Sequence, residues 1–182
     1  MEKENIKIEE KKTEPKSENK MREIKIQKLI LSCGAIGAEL EKAVKLLEMI
    51  SGMKAYKTKS KKRIPGFAIR PGLEIGCMVT IRKEKIKPLL KRLLEVKDNK
   101  IKKKQIADGH FSFGIEEYIE VPGLEYDREI GIKGFDVTVV FSRKGIRTKT
   151  KKIKRGRIPK KQIVKKEEII KFMKENYNLE AI

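Results

Sequence analysis

The chain has 182 residues, with 46 Lys or Arg against 26 Asp or Glu, and a net charge of +20. The 38% of hydrophobic residues suffices for one core in a chain of single-domain size, and a cation excess this large points to a polyanionic partner such as nucleic acid. No Trp and one His (His110) leave little material for a cofactor box or a His-centred active site, and the two cysteines (Cys33, Cys77) form no disulfide framework, so they read as buried free thiols of a reducing cytoplasm.

Residues 1–20 hold six Lys and six Glu and almost no bulky apolar side chains, so they cannot offset their ordering entropy and read as a disordered extension. Their start has no apolar signal region, and the longest uncharged stretch, LILSCGAIGA, is too short to span a bilayer; the expectation is a soluble protein, not exported and without a membrane partner. Loose alternation over 22–33 (Ile24, Ile26, then Leu29, Leu31, Cys33) predicts a strand whose phase shifts near Lys28, as a bulge would cause. Gly34-Ala35-Ile36-Gly37 has the GxxG form of a nucleotide-clamping loop but lacks a basic residue and follows a strand, so it reads as a tight strand-to-helix turn. Leu40, Ala43, Val44, Leu47 and Ile50 fall at helical spacing over 38–50, and Ser51-Gly52 stops that helix. A second strand is expected over 53–60.

Residues 54–70 carry seven basic and no acidic side chains, in a segment whose later part, with Gly66, Pro71, Gly72 and Gly76, reads as a long loop. Clean alternation over 77–82 sets Cys77, Val79 and Ile81 against Met78, Thr80 and Arg82. Residues 84–96 predict a basic amphipathic helix with Ile86, Leu89, Leu90, Leu93 and Leu94 inward and Pro88 in its first turn. FSFGI and YIEV suggest a strand pair or one bent strand, and a turn-rich loop leads to FDVTVVF, with Phe135, Val137, Val139 and Phe141 on one face. Residues 111–136 run acidic, seven carboxylates against Arg128 and Lys133, whereas 143–166 carry thirteen cations and no acid. The tail reads as irregular up to Lys166, and Ile169, Ile170, Phe172, Met173 and Tyr177 predict a short closing helix.

This order predicts an α+β fold, an antiparallel or mixed sheet with helices packed on one face. The expected organisation is a disordered extension over 1–21, an RNA-binding α+β domain over 22–143, and a basic tail with a short helix over 144–182, packed on the domain or continuous with it. Alternation puts Ser32, Thr80, Arg82, Thr138 and Ser142 on the other sheet face, and small hydroxyls with scattered cations suit contact with a ribose-phosphate backbone as well as with solvent. Asp108 and His110 would be the acid-base pair of an RNA-acting enzyme, but no nucleophile or metal-ligand spacing accompanies them and they read as a surface turn. No cofactor and no metal is expected. A nonspecific basic nucleic-acid binder is the other alternative.

The stretches FAIRPGLEIGCMVTIR, GHFSFGIEEYIEVPGLEYDREIGIKGFDVTV and IPKKQIVKKEEIIKFMKENY resemble the family of the large-subunit ribosomal protein numbered five, in order from about Arg22 to Tyr177. The long tail resembles the archaeal and eukaryotic branch. The resemblance implies a non-enzymatic protein of the cytoplasmic ribosome, with 5S rRNA on the sheet side in the central protuberance, large-subunit rRNA and ribosomal proteins alongside, and a bridge to a small-subunit protein. It also implies that the loop after the second strand reaches the peptidyl-site tRNA. That family usually has Asn where this chain has Ser32 and Gln where it has Met53. The candidate rRNA-binding set is Lys28, Ser32, Met53, Lys54, Lys57, Thr80, Arg82, Arg143 and Arg147. The candidate tRNA loop is Lys61, Lys62, Arg63, Ile64, Pro65, Phe67 and Arg70.

Overall fold

A computed structural model describes residues 19–182; the expected disorder of the N-terminal extension lies outside the described residues up to position 18. Residues Lys20–Arg22 form a single 3-10 turn, capped by the Asn19 side chain on the Met21 amide at 3.0 Å. Strand β1 (Ile24–Gly34) follows, then helix α1 (Ala38–Ser51), β2 (Tyr56–Lys59) and β3 (Glu74–Ile81). After helix α2 (Ile86–Glu95) come the short β4 (Lys100–Ile101) and β5 (Ile106–Ala107), then β6 (His110–Ile115) and β7 (Phe135–Arg143). The tail holds one-turn α3 (Arg147–Thr150), α4 (Lys166–Tyr177) and β8 (Glu180–Ala181).

Six strands make one sheet in the order β2-β3-β1-β7-β6-β5, with every neighbouring pair antiparallel. The α+β expectation holds, and of its two options for this sheet the antiparallel one is found. Parallel pairing is confined to β4 and β8 in a separate two-stranded ribbon. Period-two alternation sends Leu29, Leu31 and Cys33 of β1, Cys77, Val79 and Ile81 of β3, and Val137, Val139 and Phe141 of β7 to one face. There they join one buried cluster with the apolar stripes of α1, α2 and α4. Phe141 bridges the layers, stacking on Phe111 at 5.8 Å between centroids and meeting Phe172 of α4 edge-on at 5.9 Å.

The expected phase shift in β1 is a bulge: Ile26 pairs with Phe141 and Lys28 with Val140, leaving Gln27 as the extra residue. The extra residue returns Ile26 to the core side. Gly34-Ala35-Ile36-Gly37 is the turn the sequence predicts, with Gly37 at φ +65° before the first residue of α1. Two expectations are corrected. Gly76 belongs to β3, not to the loop, and pairs with Gly34; a Cβ there would stand 2.9 Å from the Cys33 carbonyl oxygen. YIEV is not a strand, because Tyr118–Glu120 form a 3-10 turn that sinks the Tyr118 ring fully into the core.

Tyr118 also fastens the acidic loop that precedes β7. Its backbone amide donates to the Lys133 carbonyl at 3.2 Å, and its hydroxyl accepts from the Asp127 amide at 2.8 Å. Arg92 of α2 grips the same loop, donating through Nε and Nη2 to the Pro122 carbonyl at 3.0 and 2.6 Å. Tyr118→Phe keeps the buried ring and leaves the Asp127 amide without its acceptor, so the expected loss is about 1 kcal/mol. Hydrogen exchange checks it: amides of residues 120–131 should exchange faster in the variant while those of β1 and β7 hold.

Candidate nucleic-acid interface

The same alternation that fills the core assigns the remaining side chains of β1, β3, β6 and β7 to the opposite face, where they are half-buried or exposed. Strand register orders them into rows. Tyr56, Met78, Ser32, Asp136 and Gly114 form one; Thr80, Ile30, Thr138 and Ser112 a second; Lys28, Val140 and His110 a third. The surface therefore carries hydroxyls that both donate and accept, flat apolar side chains, and few charges. Such a face can pack against sugars and unstacked bases and hydrogen-bond ribose or phosphate oxygens.

Ser32, Thr80 and Lys28 lie on this face as alternation requires, and Arg82 is exposed just beyond the end of β3. Met53 and Lys54 are exposed in the turn between α1 and β2. Two residues of the candidate rRNA set lie elsewhere. Lys57 pairs in register with Cys77, which puts it on the helix side of the sheet, and its ammonium meets Glu74 at 3.3 Å. Arg143 follows the same parity as Phe141, and its Nη2 donates to both carboxylate oxygens of Glu168 in α4 at 2.7 Å. Arg147 is exposed at the start of α3. Tyr56, 67% exposed in the edge strand beside Met78, lies outside the candidate set. Its register with Met78 is what assigns it to the open face.

The loop over 61–70 stands off the sheet as an ordered arm. Ile64 and Ile69 exchange backbone hydrogen bonds at 3.0 and 3.1 Å, and the Ser60 hydroxyl donates to the Lys62 carbonyl at 2.7 Å. Inside it Ile69 is buried, while Lys61, Lys62, Arg63, Pro65 and Arg70 are exposed, Ile64 is 41% exposed and Phe67 73%. A ring displayed that openly beside cations can stack on a nucleotide.

Among the described residues no hydrogen bond joins the candidate pair Asp108 and His110. Asp108 accepts from the Lys166 amide at the start of α4, at 3.2 Å, and His110 sits exposed at the start of β6. Burial pushes the Cys33 thiol up, and burial together with the neighbouring Cys33 pushes that of Cys77 up to about 11, so both stay protonated near neutrality. Among the described residues no group of His, Cys, Asp and Glu could hold a metal ion, and no helix is long and apolar enough to cross a membrane.

Fold and charge together define a class: a basic α+β protein whose antiparallel sheet is covered by helices on one face and left uncovered on the other. The signature described as Ribosomal protein L5 matches residues 19–70, and the signature of the C-terminus of the same ribosomal family matches 74–172. Proteins named Large ribosomal subunit protein uL5 are similar along nearly their whole length. That of Nanoarchaeum equitans is 42% identical, over 91% of this chain and 99% of its own. Those of Picrophilus torridus and Sulfolobus acidocaldarius are 41% and 39% identical, over 91% of this chain and 97% and 95% of theirs. The chain belongs to the ribosomal L5 family of the large subunit, whose members are structural and not enzymatic.

Burial pushes the Glu168 carboxyl up, but the Lys165 amide and the Arg143 guanidinium outweigh it and hold the group below the usual carboxylate range. A carboxyl depressed on folding contributes stability above its unfolded pKa and loses it as pH falls through the folded one. Glu168→Gln should cost on the order of 1 kcal/mol at neutral pH, discounted because Glu168 keeps part of its solvent shell. Thermal melts down an acid series check it, and the gap to the parent protein should close once Glu168 is protonated.

Proposed function

We propose that this ribosomal protein holds 5S rRNA against the open face of its sheet and anchors it in the central protuberance of the large subunit. The observation that carries the reading is the set of hydroxyl and flat apolar rows, Tyr56 to Gly114 and Thr80 to Ser112, on the sheet face opposite the helices. Two acid-free cationic segments adjoin it in the chain: 54–70 contains the edge strand β2, and 143–166 runs on from the end of β7. Cations there supply affinity without regard to sequence, by releasing counterions, and the shape-matched face selects one RNA. The work of such a protein is done in the ribosome, in the cytoplasm.

Two further contacts belong to the same proposal. The exposed Phe67 and the cations of the 61–70 arm suit a reach to the peptidyl-site tRNA. The acidic loop between β6 and β7, tethered to α1 by Lys45 on Glu129 at 2.6 Å and Lys133 on Glu39 at 3.4 Å, suits a basic small-subunit protein at a bridge. A nonspecific basic binder would need only the charge and would leave the hydroxyl rows without a use.

Competition separates these readings. Unlabelled 5S rRNA should displace labelled 5S rRNA from the protein far better than duplex DNA of equal length, and the dissociation constant should rise steeply along a salt series. Equal competition by duplex DNA would reduce the protein to a nonspecific polycation. Thr80→Val, which removes one hydroxyl from the open face, should weaken 5S rRNA binding by about 1–3 kcal/mol with the melting temperature unchanged. Replacing residues 61–70 by a Gly-Ser turn should spare 5S rRNA binding and lower tRNA occupancy of the peptidyl site in ribosomes assembled with the variant; loss of 5S rRNA instead would assign the arm to rRNA.

A further inference from the structure

A cleft of about 580 Å³ lies at the end of the sheet where β7 runs out into the tail, within the usual size of a small-molecule site. One wall is the sheet, with Val140 and the exposed His110 in register on β7 and β6. The facing wall is the tail, which brings half-buried Ile146 and Ile158 and exposed Lys149 and Arg157. Hydrogen bonds fix that wall. Gly156 N donates to the Thr148 carbonyl at 3.0 Å and Gly109 N to the Val164 carbonyl at 2.9 Å, while Gln162 Nε2 reaches the Lys144 carbonyl at 3.4 Å.

Charge in the cleft is mostly positive. Its only carboxylate, Asp108, accepts from the Lys166 amide, and Arg143 is paired with Glu168, so Lys149 and Arg157 remain without an acidic partner in the lining. The Nε–H of Arg143, also in the lining, is buried with no acceptor. The larger cleft, about 1000 Å³ at the opposite end of the sheet, differs: Glu39, Glu116 and Asp136 stand among its lysines, and Lys133 already meets Glu39. An apolar slot with a ring on one side and cations at its rim matches one ligand chemistry: a flat heteroaromatic base joined to a phosphate.

From these contacts we infer that the tail cleft is a second RNA site, which takes a single unstacked nucleotide with its base between Val140 and Ile158 and its phosphate at Lys149 and Arg157. The inference rests on the RNA-binding reading above; the cleft takes Val140 and His110 from the edge row of the open face but none of the hydroxyl rows. Single-stranded RNA can enter; a base held in a duplex cannot.

The test uses the full chain and a fluorescein-labelled hexauridylate carrying one 4-thiouridine, alone or annealed to hexaadenylate. Cross-links should map to His110 or to residues 140–158, and the single strand should bind at least five-fold tighter than the duplex. Ile146→Trp and Ile158→Trp fill the cleft from the tail wall without changing charge; either, if folded by its melting curve, should weaken hexauridylate binding at least five-fold and leave 5S rRNA binding within two-fold. Cross-links confined to the Tyr56 and Thr80 rows, or folded cleft-filling variants that bind the probe normally, overturn the cleft while the open-face reading stands. If hexauridylate and 5S rRNA both bind no better than duplex DNA, RNA recognition fails as a whole and the cleft with it.

Discussion

Strand β1 is paired on both edges, with β3 on one side and β7 on the other, and its side chains alternate between a dry face and a wet one. Leu29 and Leu31 are fully buried on the dry side, each worth about 1.5–3 kcal/mol of apolar burial. Everything else is arranged around that strand. Helix α1 follows directly and folds back over β1 and β3, and α2 lies over β1, so the helical layer is fixed on the face where the apolar parity points. Because α1, α2 and α4 all spend their apolar stripes on that one side, the other face of β1, β3 and β7 keeps its hydroxyls and its access.

Charge imposes the second constraint. A net +20 on one small domain raises the energy of the compact state through self-repulsion. The fold answers by putting its densest cation runs in peripheral segments, the 61–70 arm and the 144–165 tail, and by tying a few cations to acids: Lys57 to Glu74, Lys144 to Glu23, Arg143 to Glu168. Most of the arm and tail cations stay exposed. A polyanion laid along them would relieve that repulsion, so on the proposed reading assembly with RNA adds stability as well as position.

Much of this is legible in the sequence, for a physical reason. Strands of period two with one apolar phase, such as 77–82 and FDVTVVF, declare their buried face by themselves, and even the β1 bulge shows as a break of phase. What cannot be read is long-range. The alternation of β7 carries Arg143 to the helix side, but nothing local shows that it meets Glu168, or that Asp108 meets the first amide of α4, since each partner comes from a different part of the chain. Lys57 and Tyr56 escape for a related reason: a four-residue edge strand has too short a period to fix its parity, and one residue of uncertainty exchanges the two faces. YIEV looks like a strand because its residues favour one, and the burial of Tyr118 overrides that preference.

The edge around β2 is also where the resemblance leads one to expect other side chains. Where the resemblance leads one to expect Gln, Met53 stands 37% exposed, and three residues further on the open face gains Tyr56, in register with Met78. An amide side chain reads a base edge by hydrogen bonds, whereas thioethers and a phenol ring offer flat, polarizable surface to any base. Ser32, in the same row, still donates and accepts. On the proposed reading the exchange moves selectivity away from base identity at this edge and onto the shape of the RNA loop that can lie flat across the row, with the hydroxyls of Ser32, Thr80 and Thr138 fixing its register.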